Sequence, residues 1–267
     1  MFEGLNAVVH TVLFAATLVL VISGCKESRE HDVTRFGQTA EIIPDRIERY
    51  KELQTDVWPE VKEAMKKAHI GNYSVYLKEL DDGRYYLFRF YEYHGDHYEA
   101  DYAEMLKNPK VREWNKETTA CLIDTQSGEN DARWVDMEEV FYFEGRQDVA
   151  GGKQGIERYG MVIGIRPDYI ESYKLLHKHT WPEILYKLYE GNIRNYAIYL
   201  HELNGKHHLF SYFEYVGENF ETDMAKVDND PATIAWIKFT DEVCQLPLLT
   251  RKEGEWWAVM EEIVFHK

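Results

Sequence analysis

The apolar positions follow three different rhythms along the chain. Residues 11–22 (TVLFAATLVLVI) form an unbroken apolar run that extends weakly back to Ala7. It is too short to span a bilayer, which takes about 20 residues. From residue 35 onward, short runs of period two alternate with stretches of period near 3.6. Residues 35–43 read as a strand, and Pro44-Asp45 starts a helix through Thr55, because proline is tolerated in a first turn. Trp58-Pro59 breaks that helix, and Pro59 opens a second one to about His69. Residues 72–80 (NYSVYLKEL) and 85–93 (YYLFRFYEY) are β-rich and flank the Gly-containing turn Asp81-Asp82-Gly83, which predicts a hairpin. A helical stretch from Tyr98 to Cys121, interrupted at Pro109, and a last strand from Trp134 to Phe143 complete the order βαββαβ.

The same order is then written a second time. Arg35-Phe36-Gly37 matches Arg158-Tyr159-Gly160 at an offset of 123 residues, which persists through Pro44/Pro167, Tyr50/Tyr173, Trp58-Pro59-Glu60/Trp181-Pro182-Glu183 and Asn72-Tyr73/Asn195-Tyr196. It drops to 122 at Leu87-Phe88/Leu209-Phe210 and Trp114/Trp236, because the turn Asn204-Gly205 is one residue shorter, and returns to 123 at Met137-Glu138-Glu139/Met260-Glu261-Glu262. The chain therefore divides into a repeat at 35–145, a glycine-containing linker at 146–157 (RQDVAGGKQGIE) and a repeat at 158–267. The fold class this predicts is α+β: two ferredoxin-like units, each a four-stranded antiparallel sheet with helices on one face. The bare faces would cover each other in an intramolecular dimeric αβ-barrel, a pseudo-dimer within a monomeric chain.

Composition narrows the partners. With 47 Asp and Glu against 31 Lys and Arg, the formal charge of -16 repels phosphate backbones and anionic lipid surfaces, which argues against a general nucleic-acid binder or an electrostatic membrane binder. With 19 Tyr, 12 Phe and 7 Trp the chain has ample apolar surface to bury, so disorder is excluded. The N-terminal run closes on Ile22-Ser23-Gly24-Cys25, which resembles the lipobox of bacterial lipoproteins. Residues 1–24 would then be a signal peptide, Cys25 the lipidation site and 25–34 a tether, with the protein exported and anchored to a membrane through lipid alone. The n-region departs from the usual pattern, having Glu3 and no Lys or Arg. A secretory peptide without lipid and a wrong start codon are the alternatives. Cys121 and Cys244 are too few for a disulfide framework or a four-ligand zinc site and read as buried thiols.

The candidate chemistry lies in the second repeat. Tyr173, His177 and Trp181 are spaced i, i+4, i+8, predicting one helical stripe before the Pro182 break. Tyr196 shares a strand side with Ile198 and Leu200, and Trp236 sits on the later helical stretch. Aromatic walls with an imidazole and phenols suit a small, neutral, polyhydroxylated ligand. The same spacing also suits a plain aromatic core around a satisfied histidine. A metal site built from His179 and His207-His208 is disfavoured, since ligand types at ligand spacing do not converge there.

These residues resemble the L-rhamnose mutarotase family. The likeness covers nearly all of each repeat and rests on Tyr173, His177, Trp181-Pro182-Glu183, Asn195-Tyr196-Ala197-Ile198-Tyr199-Leu200, Trp236 and, in the first repeat, Glu138-Glu139-Val140-Phe141-Tyr142. It implies that His177 is a proton donor, that Tyr173, Tyr196, Trp236 and Trp181 contact a monosaccharide, and that α and β anomers of a deoxy-sugar are interconverted by acid–base ring opening without cofactor or metal. Where the family pattern shows two adjacent tryptophans, this chain has Trp236-Ile237. The first repeat keeps Tyr50, Trp58, Tyr73 and Trp114 but has Gln54 in place of the imidazole, so its site is read as degenerate, structural or binding without turnover. A non-catalytic sugar-binding lipoprotein and another kind of dimeric αβ-barrel protein, monooxygenase-like members included, are the alternative readings.

Overall fold

Among the described residues, proline opens four of the eight α-helices and both 3-10 turns. The computed structural model describes residues 33–124, 133–145 and 155–267; the N-terminal apolar run, Cys25 and most of the linker lie outside them. In the first repeat β1 (Thr34–Ile42) runs into a 3-10 turn at Pro44–Arg46, then α1 (Ile47–Thr55) and α2 (Pro59–Lys67). The hairpin β2 (Ile70–Glu79) and β3 (Tyr85–Tyr93) follows, then α3 (Tyr98–Leu106), α4 (Pro109–Thr119), β4 (Val135–Asp136) and β5 (Glu138–Phe143). The second repeat gives β6 (Glu157–Ile165), a 3-10 turn at Pro167–Tyr169, α5 (Ile170–Lys178), α6 (Pro182–Glu190), β7 (Ile193–Leu203), β8 (Lys206–Tyr215), α7 (Phe220–Asp228), α8 (Pro231–Cys244), β9 (Gln245–Leu246), β10 (Ala258–Val259) and β11 (Glu261–His266). The β7–β8 turn has positive φ at both Asn204 and Gly205, the two-residue turn whose twist suits a hairpin.

The two sheets are ordered β11-β2-β3-β1-β4 and β10-β6-β8-β7-β5, with β9 also pairing with β6. The last strand of each repeat is thus divided. Its first two residues pair with their own sheet, β4 on β1 and β10 on β6, after which Met137 and Met260 donate to the carbonyls of Gly37 and Gly160. Beyond these methionines the chain crosses over, so that β5 pairs with β7 and β11 with β2. The sequence predicts one strand, Trp134 to Phe143, closing its own four-stranded sheet. The alternation of residues 134–143 is satisfied by either sheet, and the exchange covers the open edges of β2 and β7, which would otherwise leave unpaired backbone groups. Ion pairs secure the exchanged strands at equivalent places: Lys174 to Glu138 at 2.7 Å and Lys51 to Glu261 at 2.8 Å.

The helix-free faces of the sheets meet in an aromatic core. Phe90 stacks on Tyr212 at 3.9 Å, Phe88 lies 5.7 Å from Phe210, and Tyr76 and Tyr199 complete the layer. The chain is an α+β protein of two βαββαβ-like units joined as an internal pseudo-dimer. The glycines that open the repeats acquire a reason here. A Cβ on Gly37 would lie 2.5 Å from the Tyr199 ring, and one on Gly160 2.3 Å from the Tyr76 ring. Neither glycine has a positive φ, so alanine there carries no backbone strain and only the steric effect remains. Gly37→Ala is expected to destabilise by about 1–3 kcal/mol, the usual cost of overpacking. Urea unfolding checks it: a midpoint unchanged or raised would show that the ring simply moves aside.

Candidate active site

Tyr173 and His177 lie one turn apart on α5, where i and i+4 side chains meet. Tyr173 is fully buried, and its ring centroid is 4.0 Å from the imidazole. His177 Nδ1 is 3.0 Å from the Tyr173 carbonyl oxygen, which can only accept, so Nδ1 carries the hydrogen and Nε2 is left with a lone pair. Phe141 at 5.4 Å and Trp236 at 5.5 Å present edge-on contacts that complete an aromatic enclosure. Burial lowers the His177 pKa to about 4, outweighing the backbone hydrogen bond that favours the charged form. The imidazole is therefore neutral at pH 7.

Tyr196 owes its direction to a bulge. The β7–β8 register shifts between Arg194 and Ala197, with Asn195 at a φ of 47°, and Tyr196 joins Ile198 and Leu200 in the core on the helix side. Its ring is 5.4 Å from Phe141 and 5.6 Å from Phe213. Burial raises the pKa values of both Tyr196 and Tyr173, so both phenols remain protonated donors. On α8 the buried stripe Thr233, Trp236, Thr240 and Cys244 sets Trp236 against the histidine.

Trp181 is placed differently from the expectation. α5 ends at Lys178, His179 leaves the helical region with φ -121° and ψ 41°, and Trp181 is the N-cap residue of α6. It is off the Tyr173–His177 stripe, because a residue preceding proline is driven from the helical conformation to an extended one. It reaches the site from another side, with its ring 5.3 Å from Trp236.

Two residues escaped the sequence reading. Phe141 belongs by sequence to the first repeat and by structure to the second repeat's site, because β5 is exchanged. Asp241, on α8, has its carboxyl pKa raised to about 6 by burial, although Thr240 Oγ1 donates to it at 2.8 Å. Its charge also acts on both Tyr173 and Tyr196. The signal for it was present in the repeat: at the offset set by Trp114/Trp236, Asp241 corresponds to Thr119. The first repeat therefore lacks the carboxyl as well as the imidazole.

In the first repeat Gln54 is buried on α1 and donates through Nε2 to Tyr50 Oη at 2.9 Å. Trp58 caps α2 as Trp181 caps α6, with Lys110 Nζ 5.2 Å above its ring. Tyr73 and Trp114 are buried, and the His266 ring from β11 is 6.2 Å from that of Tyr73. Cys121 and Cys244 are buried free thiols. Among the described residues no group of three or more His, Cys, Asp or Glu side chains is placed to hold a metal ion, His179, His207 and His208 included.

The family model for L-rhamnose mutarotase matches twice, at residues 35–143 and 158–267. The L-rhamnose mutarotase of Lactiplantibacillus plantarum is 30% identical over 112 residues, 42% of this chain and 100% of that protein. The one from Bacillus subtilis is 33% identical over 103 residues, 39% of this chain and 91% of its own length. Each relative is thus about as long as one repeat. Among solved structures, a protein described as a monooxygenase from Fusobacterium nucleatum aligns with a TM-score of 0.48 at 11% identity, covering 88% of this chain and 94% of that one.

Proposed function

Given that the chain belongs to the L-rhamnose mutarotase family, we propose that its second repeat interconverts the α and β anomers of a deoxy-sugar by acid–base opening and reclosure of the ring. The observation that carries this reading is the neutral His177 imidazole, held by the Tyr173 carbonyl in the tautomer that leaves Nε2 accepting, inside an aromatic enclosure, with the raised-pKa Asp241 carboxyl near enough for its charge to act on Tyr173 and Tyr196. Nε2 takes the proton of the anomeric hydroxyl while the ring C–O bond breaks. The ring oxygen takes a proton from Asp241, and the carbonyl rotates. Closure on its other face returns both protons. Trp236 and Trp181 supply rings for the apolar C–H face of the sugar, and the Tyr173 and Tyr196 phenols supply donors to its hydroxyls. The proton transfers that accompany C–O cleavage and reclosure are ones a histidine and a carboxyl can carry out.

The experiment is exchange NMR between the anomers of L-rhamnose. A parent chain that does not accelerate exchange above the spontaneous rate would leave a sugar-binding module in place of an enzyme. The pH profile tests the roles. The base must be unprotonated, which His177 is above about pH 4, and the acid must be protonated, which Asp241 is below about pH 6. Catalysed kcat/KM should therefore rise through pH 4 and decline above pH 6. Asp241→Asn should abolish the upper limb and lower the rate by about 10²-fold or more. If the decline above pH 6 persists in the variant, Asp241 is not the acid.

A further inference from the structure

The cleft of the first repeat keeps two aromatic residues of its twin and is otherwise lined differently. About 450 Å³ of space, part of it open to solvent, lies among the rings of Tyr73, Tyr91, Tyr102 and Trp114 and the thioethers of Met65 and Met105. At the repeat offsets Tyr73 and Trp114 match Tyr196 and Trp236. Met65, however, stands where the second repeat has Leu188, Met105 where it has Val227, and Val111, also in the lining, where it has Thr233. Methionine is unbranched and polarisable, so its thioether adapts to the face of a bound ring better than leucine or valine does.

Polar groups are few in this lining, and one of them lacks a partner. Trp114 is 7% exposed, and its indole N–H has no acceptor among the described residues. A buried donor without an acceptor is destabilising, and a ligand oxygen that accepts from it relieves that on binding. Asn115, the next residue on α4, adds a carboxamide to the lining where the twin has Ile237. The Tyr91 phenol is already bonded to that of Tyr98 at 2.7 Å. Arg89 is the charged residue of the lining, and its fork is engaged. Its Nε donates to Gln38 Oε1 at 2.8 Å, its Nη2 donates to the same oxygen, and its guanidinium lies 4.2 Å from the Trp134 ring centroid. A monosaccharide here would bury several hydroxyls against rings and thioethers. An aromatic compound with one polar group matches both the walls and the indole donor.

We propose that the first repeat's cleft binds a small, uncharged aromatic compound carrying one carbonyl- or amide-type group, with its ring among the tyrosines and methionines and its polar group paired with Trp114 Nε1 and the Asn115 carboxamide. The test uses the full chain with 15N-labelled tryptophan, so that the Trp114 indole N–H is read directly by NMR; its signal is the one missing from Trp114→Phe. Benzamide should bind at one site and move that signal, and toluene, which offers the ring alone, should bind at least fivefold more weakly. Trp114→Phe should remove most of that difference. Asn115→Ile, which installs the residue the twin already accommodates, should weaken benzamide about threefold or more and leave toluene binding unchanged, which also shows that this variant is folded. Absence of benzamide binding, a shift confined to other tryptophans, tighter binding of benzoate than of benzamide, or movement of the Trp114 signal by L-rhamnose would each overturn the proposal. The readout needs no turnover, so it holds whether or not the second repeat catalyses anomer exchange.

Discussion

His177→Gln is expected to reduce catalysed anomer exchange by about 10²- to 10⁴-fold, the usual contribution of a positioned acid or base. The protein itself contains the control. Gln54 occupies the equivalent place on α1, buried beside Tyr50 and bonded to its phenol, so a glutamine is known to fit next to that tyrosine without disrupting the helix. The carboxamide keeps a donor and an acceptor but does not exchange protons near neutral pH. The enclosing rings of Tyr173, Phe141 and Trp236 are untouched, so sugar binding should survive within a few-fold. Exchange NMR and a binding titration on one sample separate the two effects. Full exchange activity in the variant would remove His177 from the mechanism; joint loss of binding and exchange would make it a wall of the pocket instead of its proton carrier.

Expressed separately, the two repeats should not give folded monomers. A lone repeat exposes the inter-sheet layer, and burying each large ring there stabilises by about 1.5–3 kcal/mol. Phe88 and Phe90 on one side, Phe210 and Tyr212 on the other, therefore account for an amount comparable with the whole stability of a domain, about 5–15 kcal/mol. Each repeat would also lose an edge strand, because β5 and β11 are paired only with the other half. The expected results are insolubility, self-pairing or, on co-expression, re-formation of the whole. Gel filtration with light scattering decides it, and two well-behaved monomeric halves would refute the inter-sheet core as the main source of stability.

The duplication, the order of elements, the prolines that open the helices and the aromatic pairs at Tyr50/Tyr173 and Trp114/Trp236 were legible because they are local or are repeated at a fixed offset, and a repeat needs no knowledge of space. So was the asymmetry of Gln54 and His177, which is a difference of residue type at matched positions. What remained hidden depends on which distant surfaces meet. Period-two alternation says that residues 138–143 form a strand but not which sheet receives it, so the donation of Phe141 to the other repeat's histidine was invisible. An i, i+8 spacing places Trp181 on a helix only if the helix continues, and the pull of Pro182 on the residue before it ends the stripe first. Gly37 and Gly160 were recognisable as repeat landmarks, but their necessity comes from Tyr199 and Tyr76 of the opposing sheet. The protonation states of His177 and Asp241 were decided last of all, by tertiary burial: the cost of charging a group depends on how much water the packed neighbours leave around it, and sequence spacing carries no measure of that.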